Sequence, residues 1–314
     1  MGCCQVIIMK SFVCWVMLGL FVLSVEAEPV GFSIEGIGAV GGGTLAYEIA
    51  ASGDLGDIRS RLEFPMDGAY GGLQALYTSS QSYGRLQDFV FGVKFLTGLS
   101  DPGGDMNDYD WWNGEKIGDT QSEAESDSIQ LDVFARAGMF FRDNLALSAV
   151  VGMRYENYQY DIYGVDGYYR PPIGSGHVFE SSATRVLTYE MTHTGLYGGL
   201  NSSLAFNPSV ALEGHVLLGM GYVTDRDDHI LRGKVSTSDY FSFSTEVAAY
   251  LVWYLLPETS SYRFYLKAGG EFNGLWGTGL QDQTFSDSTP DNTNIDADID
   301  MIFASARAML GCSF

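Results

Sequence analysis

Hydrophobic and polar positions alternate with a period of two residues along most of this chain, which is typical of β-strands. In residues 128–139 the odd-numbered positions are apolar, whereas the even-numbered positions include Asp132 and Arg136. Residues 145–156 and 262–272 repeat this alternation. The pattern therefore predicts an all-β protein whose strands have one apolar and one polar face.

The connections between the predicted strands are short at one end and long at the other. Short turns are predicted at 81–84, 143–144, 207–208 and 257–258, and long polar segments at 50–57, 99–127, 163–183, 223–237 and 276–296. This asymmetry is typical of outer-membrane barrels. With the final alternating strand closing on Phe314, it predicts a ten-stranded antiparallel transmembrane β-barrel with long extracellular loops.

The N-terminus has the pattern of a targeting segment. An apolar run over residues 11–25 is followed by Val25-Glu26-Ala27, a small-x-Ala cleavage pattern. We expect residues 1–27 to be a signal peptide and residues 28–314 to form one barrel domain. Beyond the signal there is no apolar run of roughly 18 residues, so no α-helical span is predicted. Cys312 is the only cysteine of the mature chain, which precludes an intramolecular disulfide.

The charge of the chain narrows the choice of partner. Lys and Arg number 17 and Asp and Glu number 39, which gives a formal net charge of −22 at pH 7. Nucleic acid is disfavoured because its phosphates would be repelled, whereas cationic polypeptides suit this surface. Charged residues on the inward faces predict a filled lumen and disfavour a general porin; they are Arg136, Arg154, Glu213, His215, Glu246 and Lys267.

Two acidic segments far apart in sequence carry the candidate chemistry. One is Gly103-Gly104-Asp105-Met106-Asn107-Asp108-Tyr109-Asp110-Trp111, and the other is Asp225-Arg226-Asp227-Asp228-His229. Residues at i and i+2 of an extended backbone project to the same side. If the barrel brings these segments together, its rim carries a carboxylate pair that faces an Asp–His pair.

Such a rim could activate a water molecule. His229 could take a proton from water while Asp227 orients its ring. Asp108 and Asp110 could hold that water and share a proton, because two like charges so close together resist double ionisation.

The two segments resemble segments of the omptins, which are ten-stranded outer-membrane proteases of Gram-negative bacteria. The first is similar to their Gly-Gly-x-Met-x-Asp-x-Asp-Trp segment and the second to their Asp-x-Asp-x-His segment, and similar strand patterns continue to the C-terminus. The resemblance implies an aspartic-type endopeptidase in which Asp227 and His229 form a dyad. Asp108 and Asp110 would position the attacking water, and no covalent acyl-enzyme is expected.

The resemblance also implies that peptide bonds next to basic residues are cleaved. Asp225 matches an acid that binds a basic side chain beside the scissile bond, and Glu48 is the candidate for a second such acid, with an alignment ambiguous by a residue or two. We expect cationic polypeptides and outer-membrane lipid as partners, a monomer, and no metal or other cofactor. The omptin Tyr-x-Glu-x-Arg pattern for lipopolysaccharide is not kept in register at residues 153–157, so a lipopolysaccharide requirement stays open.

Other interpretations remain. A non-catalytic omptin-like barrel that acts as an adhesin or surface structural protein would tolerate replacement of His229. An outer-membrane lipid hydrolase would need a nucleophilic serine with a histidine partner, for which the chain offers no convincing pair. A calcium-stabilised barrel is suggested by Asp296, Asp298 and Asp300, although alternating Asp residues are more typical of rim charge.

Overall fold

A computed structural model describes most of the chain. The described residues are 29–53, 56–79, 86–171, 174–255, 262–286 and 291–314. The predicted signal peptide at 1–27 and the predicted turns at 81–84 and 257–258 lie outside these residues.

The described chain is almost entirely antiparallel β-sheet, as its period-two pattern predicts. The strands are β1 (Pro29–Gly53), β2 (Gly56–Pro65), β3 (Gly68–Ser79), β4 (Gln87–Gly98), β5 (Asp105–Trp112), β6 (Glu115–Arg142), β7 (Leu145–Tyr169), β8 (Gly176–Asn207), β9 (Val210–His229), β10 (Lys234–Tyr254), β11 (Arg263–Phe285) and β12 (Asn292–Ser313). A 3₁₀ turn, Ile230–Arg232, joins β9 to β10. Nowhere in the described ranges is there a helix with the length and apolar character needed to cross a membrane.

The twelve segments form a closed ring of ten strands, because two strands of the ring are each divided into two segments. The first half of β1 pairs with β3 and its second half with β2. In the same way β3 pairs with β4, and β2 pairs with β5 above them. The second strand of the ring is therefore broken between β2 and β3, and the third between β4 and β5. Pairing of β1 with β12 closes the ring and confirms the predicted ten-stranded barrel.

The outer face defines the membrane band. On β9 the outward side chains are apolar and exposed as far as Tyr222, and beyond it they become polar; the exposed apolar set is Leu212, Val216, Leu218, Met220 and Tyr222. A strand needs about 9–11 residues to cross a bilayer, whereas β9 has 20 and β8 has 32. The strands therefore continue well above the membrane.

The long segments predicted as loops are consequently mostly strand. Paired strands satisfy each other's backbone N–H and C=O groups, so the sheet continues wherever inward side chains are buried. Between β5 and β6 only Asn113 and Gly114 form the turn. The predicted short turns at 143–144 and 207–208 are present at the opposite end of the barrel.

Paired charges fill the membrane-level lumen. Arg154 lies 2.7 Å from Asp132 and 2.5 Å from Glu246, and Lys94 lies 2.8 Å from Asp132. Further pairs are Lys267 with Glu35 at 2.9 Å and with Glu213 at 3.0 Å, Arg307 with Glu271 at 2.6 Å, and His215 with Glu246 at 2.6 Å. This network gives the barrel a packed polar interior.

Candidate active site

An aromatic layer lies above the charged lumen and forms a floor for the upper barrel. The ring centroids of Phe64 and Tyr189 are 4.3 Å apart, and those of Tyr47 and Tyr189 are 5.4 Å apart. Tyr160 packs against Phe64 at 5.0 Å. The hydroxyls of Tyr47 and Tyr189 reach the acidic residues of β9 above this layer, whereas that of Tyr160 donates to the carbonyl oxygen of Pro65.

The strand β9 brings the Asp–His segment to the inner face above this layer. Alternation along the strand buries Asp225, Asp227 and His229, whose exposed fractions are 6%, 1% and 9%. His229 Nε2 lies 3.0 Å from Asp227 Oδ2. The Tyr47 hydroxyl donates a hydrogen bond to the same carboxylate oxygen from across the barrel.

The environment of Asp227 favours its ionised form. Burial by itself would raise the pKa of this carboxyl group. The charge of His229 and its hydrogen bond outweigh burial, and they hold the pKa of Asp227 below its usual value. Asp227 can therefore orient the His229 ring and stabilise a positive charge on it.

Asp225 lies two residues earlier, and its buried carboxyl group has a separate set of hydrogen-bond partners. Its Oδ2 accepts hydrogen bonds from the hydroxyls of Tyr240 at 2.8 Å and Tyr189 at 3.2 Å. Burial raises the pKa of Asp225 to about 7, against the opposing effect of hydrogen bonds from Ser238 and Tyr240. The carboxyl group can thus gain or lose a proton near neutral pH.

Asp108 and Asp110 enter the site from β5. Burial, and then the nearby charge of Asp110, raises the pKa of Asp108 to about 7; the charge of Asp227 acts in the same direction. Among the described residues, neither Asp108 Oδ1 nor Asp227 Oδ1 has a hydrogen-bond partner, although both atoms are buried. Asp108 and His229 line one cavity of about 180 Å³. The structure therefore brings the two acidic segments together.

Glu48 is not brought to this cluster. Neighbouring residues of a strand point to opposite faces, and Tyr47 occupies the inner face. Glu48 instead lies 3.8 Å from both Arg59 and Arg61. The sequence analysis named Glu48 as the candidate for a second acid of the site. The first strand instead contributes the hydroxyl of Tyr47.

Comparison with known proteins identifies the family. The sequence profile of the Omptin family matches residues 74–266, which is more than half of the chain. The chain belongs to the omptin family. A search of curated protein sequences found no match.

One solved structure shares the fold over nearly its whole length. The crystal structure of the outer membrane protease OmpT from Escherichia coli matches with a TM-score of 0.78 and 16% identity, over 93% of this chain and 99% of that chain. The transport unit of the autotransporter AIDA-I from Escherichia coli matches with a TM-score of 0.35 and 12% identity, over 91% and 93% of the two chains. Omptin membership and the barrel support an outer-membrane protease of a Gram-negative bacterium.

Several residues of this omptin site were missed by the sequence analysis. They are Tyr47, Tyr169, Arg232 and Lys234. Arg232 Nη2 donates a hydrogen bond to the Tyr169 hydroxyl at 3.3 Å. Burial lowers the pKa of Lys234, which pairs in register with His229. Strand parity could have selected Tyr47, because Glu35 and Tyr47 share the inner face of β1.

A possible metal site lies lower in the barrel. His215, Glu246 and Glu271 place ligand atoms within 4.8 Å of one another. However, Arg154 pairs with Glu246 and Arg307 pairs with Glu271. These guanidinium groups already balance the carboxylates and would repel a cation, so this omptin barrel has a salt-bridge cluster at that position.

Proposed function

We propose that the protein is an endopeptidase that cleaves beside basic residues with a water molecule activated by Asp227 and His229. The observation that carries this proposal is the 3.0 Å contact between His229 Nε2 and Asp227 Oδ2. His229 also lines a cavity together with Asp108. A histidine held by a buried carboxylate, beside a second acidic group, is a suitable arrangement for general-base catalysis.

His229 would act as the base. A proton on Nε2 satisfies the contact with Asp227, which leaves Nδ1 as the proton acceptor for water. Tyr47 would be a positioning residue, because its hydroxyl holds the Asp227 oxygen that orients the ring. The positive charge that develops on His229 would be stabilised by ionised Asp227.

The attacking water would be held between the two acidic segments. The buried oxygens Asp108 Oδ1 and Asp227 Oδ1, which have no partner among the described residues, are suitable hydrogen-bond acceptors for it. Asp108 and Asp110 would share one proton, since two close carboxylates resist double ionisation. Water would attack the peptide carbonyl directly, so the subclass would be aspartic-type and no acyl-enzyme would form.

Specificity for a basic residue would depend on Asp225. A lysine or arginine that reaches this buried carboxyl group would keep it ionised and form a charge-assisted hydrogen bond. Tyr189 and Tyr240, whose hydroxyls donate hydrogen bonds to Asp225, would bring their aromatic rings close to a bound cation. The net charge of −22 would concentrate cationic polypeptides near the rim.

A direct test uses the purified barrel in detergent, with and without lipopolysaccharide. Peptides that contain one arginine are incubated with it, and the products are identified by mass spectrometry. We expect one cut beside the arginine, and comparison of the two conditions determines the lipid requirement. A folded barrel that cuts no peptide in either condition would support the non-catalytic adhesin or structural alternative.

Replacing Asp225 with asparagine should weaken recognition of basic residues. Loss of the charged hydrogen bond is expected to lower kcat/KM for an arginine peptide by roughly 10- to 100-fold, since such bonds contribute about 1.5–3 kcal/mol. The ratio of kcat/KM for the arginine peptide to that for its glutamine analogue is the measurement. An unchanged ratio would remove Asp225 from the recognition site.

The loss of cleavage at high pH should follow Asp108, whereas ionisation of Asp225, whose pKa is also about 7, favours binding of a basic substrate as the pH rises. The Asp108 pKa of about 7 means that the pair loses its shared proton as the pH rises through about 7, so activity should fall there. Asp110→Asn removes the charge that raises this pKa and should move the fall to lower pH. Arg232→Gln removes a charge that lowers it and should move the fall to higher pH. Profiles of kcat/KM that coincide in all three proteins would contradict this assignment.

A further inference from the structure

A cavity with a mainly apolar surface lies beside His229 on the side of β5 to β8. Its volume is about 180 Å³. Among the described residues, its aliphatic lining is Met106, Val165, Val178, Val186, Leu187 and Leu231. We propose that this cavity binds an aliphatic side chain of the substrate, on the residue across the scissile bond from the basic one. The inference rests on the proposed function and specifies its substrate class.

The position of the cavity makes it a subsite and not simply a packing defect. His229 and Asp108 both line it, so a side chain inside it would lie beside the groups that activate water. Asp225 lies two residues below Asp227 on the same face of β9 and is absent from the lining. A peptide with its basic side chain at Asp225 would therefore direct a neighbouring side chain to a different environment.

The chemistry of the lining favours an aliphatic occupant. Met106, Val186 and Leu187 are buried, and an aliphatic group that enters such a site gains by leaving water. An apolar protein cavity of about 150 Å³ can hold a molecule of the size of benzene. The volume of this cavity is thus sufficient for a leucine or isoleucine side chain.

The charges around the cavity disfavour a second basic residue. The acids of the lining are Asp108 and the exposed Glu180. Asp108 lies near Arg232 and Lys234, whose positive charges act on it. Arg232 itself belongs to the lining, so a lysine or arginine there would meet a like charge. Sites with one basic residue and an aliphatic neighbour should therefore be preferred to dibasic sites.

The test compares quenched peptides that have one fixed arginine and a varied residue across the scissile bond: leucine, glycine, aspartate or arginine. The wild-type barrel should cleave the leucine peptide with a kcat/KM at least about tenfold above that for glycine or arginine, because apolar subsites discriminate by roughly 10- to 200-fold. The products are mapped by mass spectrometry, so that each rate refers to the same bond.

Two variants in one turn provide a matched pair. Leu231 lines the cavity whereas its neighbour Ile230 does not, and both side chains are exposed. Leu231→Ser should reduce the preference for leucine over glycine several-fold, while Ile230→Ser should leave it unchanged. Arg232→Glu should raise cleavage of the dibasic peptide relative to the leucine peptide.

The outcomes separate the two proposals. Cleavage beside arginine with equal rates for all neighbours, or with the dibasic peptide preferred, would overturn the aliphatic subsite and leave the protease intact. The same conclusion would follow if Leu231→Ser and Ile230→Ser behaved alike. No cleavage of any peptide by a folded wild-type barrel would overturn both.

Discussion

Replacing His229 with alanine is expected to lower kcat/KM for an arginine peptide by about 100- to 10,000-fold, the range that a positioned general base contributes. His229 is the proposed proton acceptor and is held by a buried Asp227. The barrel should still fold, because the side chain lies at the upper end of β9, above the membrane band. The measurement is the initial rate of fluorescence increase from a quenched peptide.

A second histidine of the rim provides the control. His177 Nε2 lies 2.7 Å from Asp166 Oδ1, but the two side chains are 66% and 67% exposed. His177→Ala therefore removes an Asp–His contact of the same kind outside the proposed site and should leave the rate unchanged. Equal losses in the two variants, or full activity in His229→Ala, would exclude His229 as the base.

Replacing Arg154 with alanine should destabilise the barrel by about 3–5 kcal/mol, the effect of leaving buried charges without their partner. Arg154 bridges Asp132 and Glu246 in the lumen, and both carboxylates are buried. Loss of the guanidinium would leave His215 as the remaining ion-pair partner of Glu246, and Lys94 as that of Asp132. The free energy of unfolding in urea, measured in lipid vesicles, tests this expectation.

An exposed arginine gives the comparison. Arg142 lies 3.8 Å from Asp143 at the short-turn end, with side-chain exposures of 79% and 87%. Exposed pairs contribute about 0–1 kcal/mol, so Arg142→Ala should change the unfolding free energy little. Similar values for Arg142→Ala and Arg154→Ala would mean that the lumen network does not stabilise the fold as proposed.

Much of the site follows from strand parity alone. A β-strand places every second residue on one face, so the spacing of Asp225, Asp227 and His229 is sufficient to predict their common inner position. The same rule predicts the lumen charges Arg154 and Glu246. These predictions succeed because the apolar outer face, which contacts lipid, fixes the register of each strand.

Other features could not be predicted from local pattern. The interruptions between β2 and β3 and between β4 and β5 depend on pairing across the ring, which only the assembled barrel determines. Arg232 lies in a 3₁₀ turn, where no strand rule predicts its contact with Tyr169. On β1 the alignment of Glu48 was ambiguous by a residue or two, and a shift of one residue reverses the face of a strand.

The central claim is that Asp227 and His229 act as one unit that activates water, and a double-mutant cycle tests it most directly. The rates of peptide cleavage by Asp227→Asn, His229→Ala and the combined variant are compared with that of the wild type, with folding verified for each. Residues that act as a unit show non-additive losses, so the combined variant should lose no more than the worse single variant. Losses that multiply across the two positions would show that the residues act independently and would contradict the dyad.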